Sequence, residues 1–185
     1  MKAMILAAGL GTRLKPLTEK TPKALILVAG RPLIHYGLLL LKKFGITEVL
    51  INLHHLGALI EKEVGDGRSI GMRISYSWEE EILGTGGGIK KAESFFGGGE
   101  NFFALNSDIL IDADLERFLK FHRKRKGIAS MALKKRPVQS SYSPIWLGRG
   151  DRISEIGETS TPTSHERAEA AYLYTGLQIL GPRFL

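Results

Sequence analysis

The 185-residue chain has no cysteine. That excludes disulfide scaffolds, cysteine-ligated zinc and thiol chemistry, and it fits a cytoplasmic location. No apolar run approaches the roughly 18–20 residues that a membrane-spanning helix needs. The first apolar stretch, residues 3–10, runs into a glycine-bearing loop without the length or cleavage-site pattern of a secretory leader. There is no internal repeat and no low-complexity segment. The histidines are scattered, with His54-His55 the only adjacent pair, so no ligand spacing of the His-Glu-x-x-His kind exists. Acid is missing from one region in particular. Residues 120–136 hold Lys120, Arg123, Lys124, Arg125, Lys126, Lys134, Lys135 and Arg136 and no Asp or Glu, which is +8 against a net +7 for the whole chain. The remainder therefore sums to −1, and the pI of 9.7 describes one segment. Most of that segment falls at the C-terminal end of an expected helix, where cations suit the macrodipole. A solvated helix end is expected there rather than a nucleic-acid or membrane contact.

The residues that are present have the make-up of a globular domain, with 43% apolar and 24% charged residues. The length fits one domain, 1–185. Short apolar runs at residues 3–7, 48–52, 72–78, 102–105 and 128–133 read as strands. Helical apolar stripes lie at 32–44, 56–64, 86–96 and 115–125, several closed by glycine. Strands alternating with helices predict an α/β fold, a Rossmann-like, mostly parallel mixed sheet flanked by helices. In such sheets ligands bind beyond the carboxyl ends of the strands, which points to the loops after Ala7, Asn52, Trp78 and Leu105. After residue 133 the pattern turns to strands and turns, at 145–147, 152–156 and 170–180. The expected division is a nucleotide-binding core, 1–133, and a sugar-binding part, 134–185.

The loop after the first strand is the richest in information. Ala7, Ala8, Gly9 and Gly11 are small enough for a backbone to approach a ligand, with amides free to face phosphate oxygens. Arg13 offers a planar fork and Lys23 a point charge. The loop lacks the Gly-x4-Gly-Lys-Ser/Thr pattern, and the third position of Gly-x-Gly-x-x-Gly is Leu14. On residue types alone, a tight structural turn and a phosphate-binding loop both stand.

The longer string Leu6-Ala-Ala-Gly-Leu-Gly-Thr-Arg-Leu-Lys-Pro-Leu-Thr, followed by Thr-Pro-Lys-Ala-Leu, strongly resembles the signature of sugar-1-phosphate nucleotidyltransferases. Leu83-Gly-Thr-Gly-Gly-Gly88 and Asn106-Ser107-Asp108 match in the same order. The form of these motifs looks most like the short bacterial N-acetylmuramate-1-phosphate uridylyltransferases, with mannose-1-phosphate guanylyltransferases close behind. The resemblance implies transfer of a nucleoside monophosphate, UMP or GMP, from a nucleoside triphosphate to a sugar 1-phosphate, with release of pyrophosphate. It implies a nucleotide loop of Leu6, Ala7, Ala8, Gly9, Gly11 and Thr12. Arg13 would sit on the leaving phosphates, Lys23 at the reacting centre and Asp108 on Mg²⁺. Glu79 and Gly84 would contact the base. A carboxylate at 79 suits the N–H edges of uracil or guanine better than cytosine, although Glu79-Glu80-Glu81 also reads as a solvated acidic loop. Gly86, Glu158, Tyr174 and Thr175 would contact the sugar, and His54-His55 would lie beside the site. Asp114 is the expected cap of the 115–125 helix.

Two features depart from the family pattern. Where many members carry Glu-Lys-Pro, this chain reads Glu158-Thr159-Ser160. A second metal-binding aspartate and a closing helix are expected beyond Leu185. Two alternatives therefore stand beside the enzyme: a catalytically incomplete nucleotide-binding regulatory protein of the same fold, and a cytidylyltransferase acting on a non-sugar phosphate.

Overall fold

The structure is a computed structural model that describes residues 1–97, 99–137, 140–157 and 171–185. The elements in chain order are β1 (Lys2–Leu6), β2 (Leu27–Val28), β3 (Arg31–Pro32), α1 (Leu33–Lys43), β4 (Glu48–Leu53), α2 (Gly57–Val64) and β5 (Arg73–Trp78). They continue with α3 (Gly84–Lys91), α4 (Glu93–Phe96), β6 (Phe102–Asn106), α5 (Leu115–Arg125), β7 (Ala129–Lys135), β8 (Ile145–Leu147), β9 (Ile153–Ile156) and β10 (Tyr172–Leu180). The described residues form two compact units, Met1–Ser130 with Gly176–Leu185, and Met131–Thr175.

In the first unit β1 is flanked by parallel neighbours on both sides, β4 and β6, and β5 extends the sheet parallel beyond β4. The last residues of β10 close the far side of β6 in antiparallel pairing, Leu177 opposite Leu105 and Leu180 opposite Phe102. A strand covered on both faces should read as an unbroken apolar run, and Ala3, Met4 and Ile5 are each 0% exposed. Met4 faces a cluster with Leu50, Ile89, Ala92, Phe96, Phe102 and Ala104, which brings α3 and α4 onto one face. The Phe96 and Phe102 rings stack there with centroids 3.8 Å apart. Ile5 points the other way, toward Gly37 of α1. Phe103, in register with Ala3, meets Phe118 of α5 at 6.4 Å on that same second face. Helices on both faces of a mixed, mostly parallel sheet are the expected fold class.

Register matters most for function. Leu6 lies opposite both Asn52 and Asn106, and Asn52 lies opposite Ser77. Strands β1, β4, β5 and β6 therefore end at one edge, and their outgoing loops start side by side.

The 86–96 stripe, expected as one helix, is two. Ala92 leaves helical geometry (φ −84°, ψ 3°), and its amide bonds both the Gly88 and Ile89 carbonyls. The break turns Phe96 onto Phe102, packing that a periodicity argument does not contain. Asp114 caps α5 as expected, its carboxylate accepting the Arg117 amide at 2.9 Å. In the basic last turn of α5 the cations Arg123, Lys124 and Arg125 are solvent-exposed, while His122 is buried.

In the second unit β8 pairs antiparallel with β9, and Tyr172 of β10 lies opposite Ile145 of β8. The Arg136 amide bonds the Ala171 carbonyl. Strands β7 and β10 each run from one unit into the other.

Candidate active site

The loop that leaves β1 is shaped by one buried threonine. Gly11 adopts φ +64°, and a Cβ there would stand 3.0 Å from Thr18 Cγ2. Thr18, 2% exposed, donates its hydroxyl to the Gly11 carbonyl at 2.8 Å. Gly11 is thus required by the protein itself. Gly9 is not: no protein atom lies within 4 Å of where its Cβ would stand. Gly9 lines a cleft, so a side chain there would take up cleft volume. Downstream, Thr12–Leu14 form a 3-10 turn carrying Arg13, and Lys23–Leu25 form another, anchored by Ala24 at 2% exposed.

The cleft measures about 510 Å³. Its lining joins Leu6–Leu14 and Lys23 with Asn52, Glu79, Ile82, Gly84, Thr85 and Asn106–Asp108. These residues come from the carboxyl ends of β1, β4, β5 and β6, as the register dictates. Ser107 donates its amide to the Leu6 carbonyl at 3.0 Å, which carries the turn after β6 toward the β1 loop. Asp108, on that turn, pairs with the Lys23 ammonium. The nucleotide-loop residues, Arg13, Lys23, Asp108, Glu79 and Gly84 thus share one cleft.

Glu79 is distinct from its two acidic neighbours. Glu80 and Glu81 are exposed, as a solvated acidic loop would be, while Glu79 is 4% exposed. Its Oε1 accepts the Asn52 side-chain amide at 2.7 Å and its Oε2 the Leu83 backbone amide at 3.0 Å. Asn52 in turn accepts the Ala7 amide at 2.9 Å. His54 Nδ1 lies 2.8 Å from the Glu79 carbonyl. A carbonyl only accepts, so Nδ1 carries the proton. Asn52 was not singled out by sequence reasoning. A signal was available: it is the one amide side chain in the apolar run Glu48–Leu53, at the strand end that faces the ligand edge.

The expected sugar contacts fall in both units. Gly86 lies in α3 with open space where a Cβ would be, and it is not among the cleft-lining residues. Thr175 belongs to the second unit, where its hydroxyl bonds the Ala132 carbonyl at 2.8 Å. Tyr174, also in that unit, has a buried hydroxyl without a hydrogen-bond partner among the described residues, and burial pushes its pKa well above the usual phenol value. Glu158 lies outside the described residues. Gly176 answers to packing, since a Cβ there would stand 2.4 Å from Ile109 Cγ2.

For a metal, the relevant group is Asp108, beside Asn106 and Ser107. These are oxygen donors, which suit a hard cation. No cluster of three or more His, Cys, Asp or Glu exists among the described residues. One carboxylate fits Mg²⁺, which is commonly held by one or two carboxylates together with substrate phosphate oxygens.

Comparison with known proteins agrees with this geometry. Residues 2–177 match the nucleotidyl transferase family model. The chain is 35% identical to the UTP–glucose-1-phosphate uridylyltransferase of Synechocystis, over 100% of this chain and 50% of that protein. It is 50% identical to the N-acetylmuramate alpha-1-phosphate uridylyltransferase of Neisseria meningitidis, over 62% of this chain and 49% of that one. The mannose-1-phosphate guanylyltransferase of Mycobacterium tuberculosis is 31% identical over 93% of this chain and 48% of its own length. The chain thus spans about half the length of these curated relatives. Among solved structures, HddC from Yersinia pseudotuberculosis in complex with GMP-PN superposes with a TM-score of 0.79 at 22% identity, covering 98% of this chain and 77% of that one. At that identity the match concerns the fold.

Proposed function

The chain belongs to the nucleotidyl transferase family, and from that premise we propose that it is the catalytic core of a sugar-1-phosphate nucleotidyltransferase. The reaction joins UMP or GMP to a sugar 1-phosphate. A phosphate oxygen of the sugar 1-phosphate attacks the α-phosphorus of the triphosphate, the bond to the bridging β-phosphate oxygen breaks, and pyrophosphate leaves. The nucleophile is already an anion, so no side chain needs to remove a proton. The cleft's task is to align the two anions and neutralise their charge. The observation that carries this reading is the convergence of the small-residue β1 loop, Arg13, Lys23 and Asp108 on one cleft at the carboxyl edge of the sheet.

The β1 loop, Leu6–Gly11 with Thr12, holds the triphosphate through backbone amides, and the open space at Gly9 admits its phosphates. Arg13 forks onto the β- and γ-phosphates. Lys23, which pairs with Asp108 in the cleft, would present its ammonium to phosphate oxygens at the reacting centre. Asp108 would hold Mg²⁺, which supplies charge neutralisation for the phosphates when bound. Glu79 and Gly84 border the base. Gly86, Glu158, Tyr174 and Thr175 remain the proposed sugar contacts.

Thermal unfolding with a panel of triphosphates tests the reading. With Mg²⁺ present, UTP or GTP should stabilise the protein, by about 2.7 kcal/mol at a hundredfold excess over Kd. Asp108→Asn should remove the Mg²⁺ dependence of that shift. Stabilisation by CTP alone would support the cytidylyltransferase alternative and overturn the base assignment.

A further inference from the structure

Glu79 is held at four points. Its amide bonds the Leu53 carbonyl at 2.8 Å, and its carbonyl accepts from His54 Nδ1. Its two carboxylate oxygens accept from Asn52 and Leu83. The side-chain bonds form a chain of defined polarity. The Ala7 amide donates to Asn52 Oδ1, Asn52 Nδ2 donates to Glu79 Oε1, and the Leu83 amide donates to Glu79 Oε2. The ends of this chain are the triphosphate loop and the turn that opens α3. Both central residues are almost fully buried, Asn52 at 3% and Glu79 at 4% exposed.

Residue 79 must accept twice, and residue 52 must accept once and donate once. Both ends of the chain donate, so a carboxylate at one position and an amide at the other, in either order, satisfies both ends without an added proton. The glycine run of α3 is cut to fit the pair. A Cβ on Gly88 would stand 2.7 Å from Glu79 Oε1 and 2.9 Å from Asn52 Nδ2, so the helix can close over them only with glycine there.

We propose that Asn52 and Glu79 are positioning residues: a buried pair of matched polarity that sets the distance between the triphosphate loop at Ala7 and the base-side turn at Leu83-Gly84. This rests on the nucleotidyltransferase reading for its consequence, though not for its geometry. Glu79 then acts on nucleotide binding through Asn52 and Leu83. The pair couples the two walls of the cleft, so a triphosphate meets both already aligned. Discrimination between bases falls to the groups that the pair holds in place.

The test exploits polarity in the full-length protein. Glu79→Gln presents an amide NH2 to a second donor, and Asn52→Asp sets two carboxylates side by side. Each single variant should weaken UTP and GTP binding by the same factor, about tenfold or more. It should also speed hydrogen exchange at the Ala7 or Leu83 amide. The double variant N52D/E79Q restores every bond. The carboxylate introduced at position 52 accepts from Ala7 and from the amide NH2 introduced at position 79, and the carbonyl of that new amide accepts from Leu83. Affinity and amide protection should return to within about threefold of wild type. Gly88→Ala, which presses on the pair without changing it, should reproduce the loss of affinity.

Singles that leave affinity and exchange unchanged would overturn the proposal. So would a double variant that regains thermal stability but neither affinity nor protection. A base ranking altered by Glu79→Gln and left altered in the double would mean direct contact between the carboxylate and the base, again overturning it. If the wild-type protein binds no triphosphate, the nucleotidyltransferase reading fails. Exchange at Ala7 and Leu83, which needs no ligand, then decides whether the pair positions the two walls.

Discussion

Arg13 and Lys23 are both cations in the same cleft, yet they are not interchangeable. A guanidinium engages two phosphate oxygens in a fixed plane, whereas an ammonium is a mobile point charge. Arg13→Ala is expected to lower kcat/KM by about 10²–10³-fold, the usual loss when one charge-stabilising donor leaves such a site. Arg13→Lys should recover only part of that, and steady-state kinetics on the two variants would check both statements. Residue types marked Arg13 and Lys23 as candidate phosphate ligands, while Asp108 came from the resemblance alone, and the structure brings all three to one cleft. Their meeting in one cleft was implied by register alone: Leu6 and Asn106 lie opposite each other, so the loops leaving those two strands must meet. The use to which Glu79 is put was hidden. The resemblance picked Glu79 out of three consecutive acids, but nothing in the sequence pairs it with Asn52, which lies 27 residues away in the chain.

At the scale of single elements, local chemistry was the more legible part. Asp114 before Leu115 announces a helix start, and the carboxylate does accept the Arg117 amide. Asp114→Ala should cost about 0.5–2 kcal/mol of stability, measurable by urea denaturation, while nucleotide affinity is retained. The glycines of α3 show the limit of such reading. The resemblance reserves Gly84 and Gly86 for base and sugar phosphate, and open space does stand where their Cβ atoms would be. In the structure Gly87 makes room for Leu83 Cβ, 2.8 Å from where its own Cβ would stand, and Gly88 makes room for Glu79 and Asn52. Only tertiary neighbours separate a glycine open to the cleft from one that answers to packing. The break between α3 and α4 is hidden for the same reason, since it goes with a tertiary contact, the stacking of Phe96 on Phe102.

For the molecule as a whole, charge total and charge position tell different stories. None of the eight cations in residues 120–136 lines the cleft, while Arg13 and Lys23, outside that segment, do. The mostly parallel sheet was legible in the alternation of strands and helices, and the change of pattern read after residue 133 falls within the same strand, β7, as the boundary of the compact units at Ser130 and Met131. Two strands that run continuously from one compact unit into the other leave no linker for composition to reveal. Transfer of nucleotidyl groups between phosphates in this cleft is the claim on which the rest depends, and isotope exchange addresses it. The full-length protein would be incubated with Mg²⁺, labelled pyrophosphate and a panel of UDP- and GDP-sugars. Label should appear in UTP or GTP with at least one of these sugars, and Asp108→Asn should abolish it. No labelled triphosphate with any sugar nucleotide, from a protein that still binds UTP or GTP, would contradict transferase activity and support a regulatory nucleotide-binding protein of the same fold.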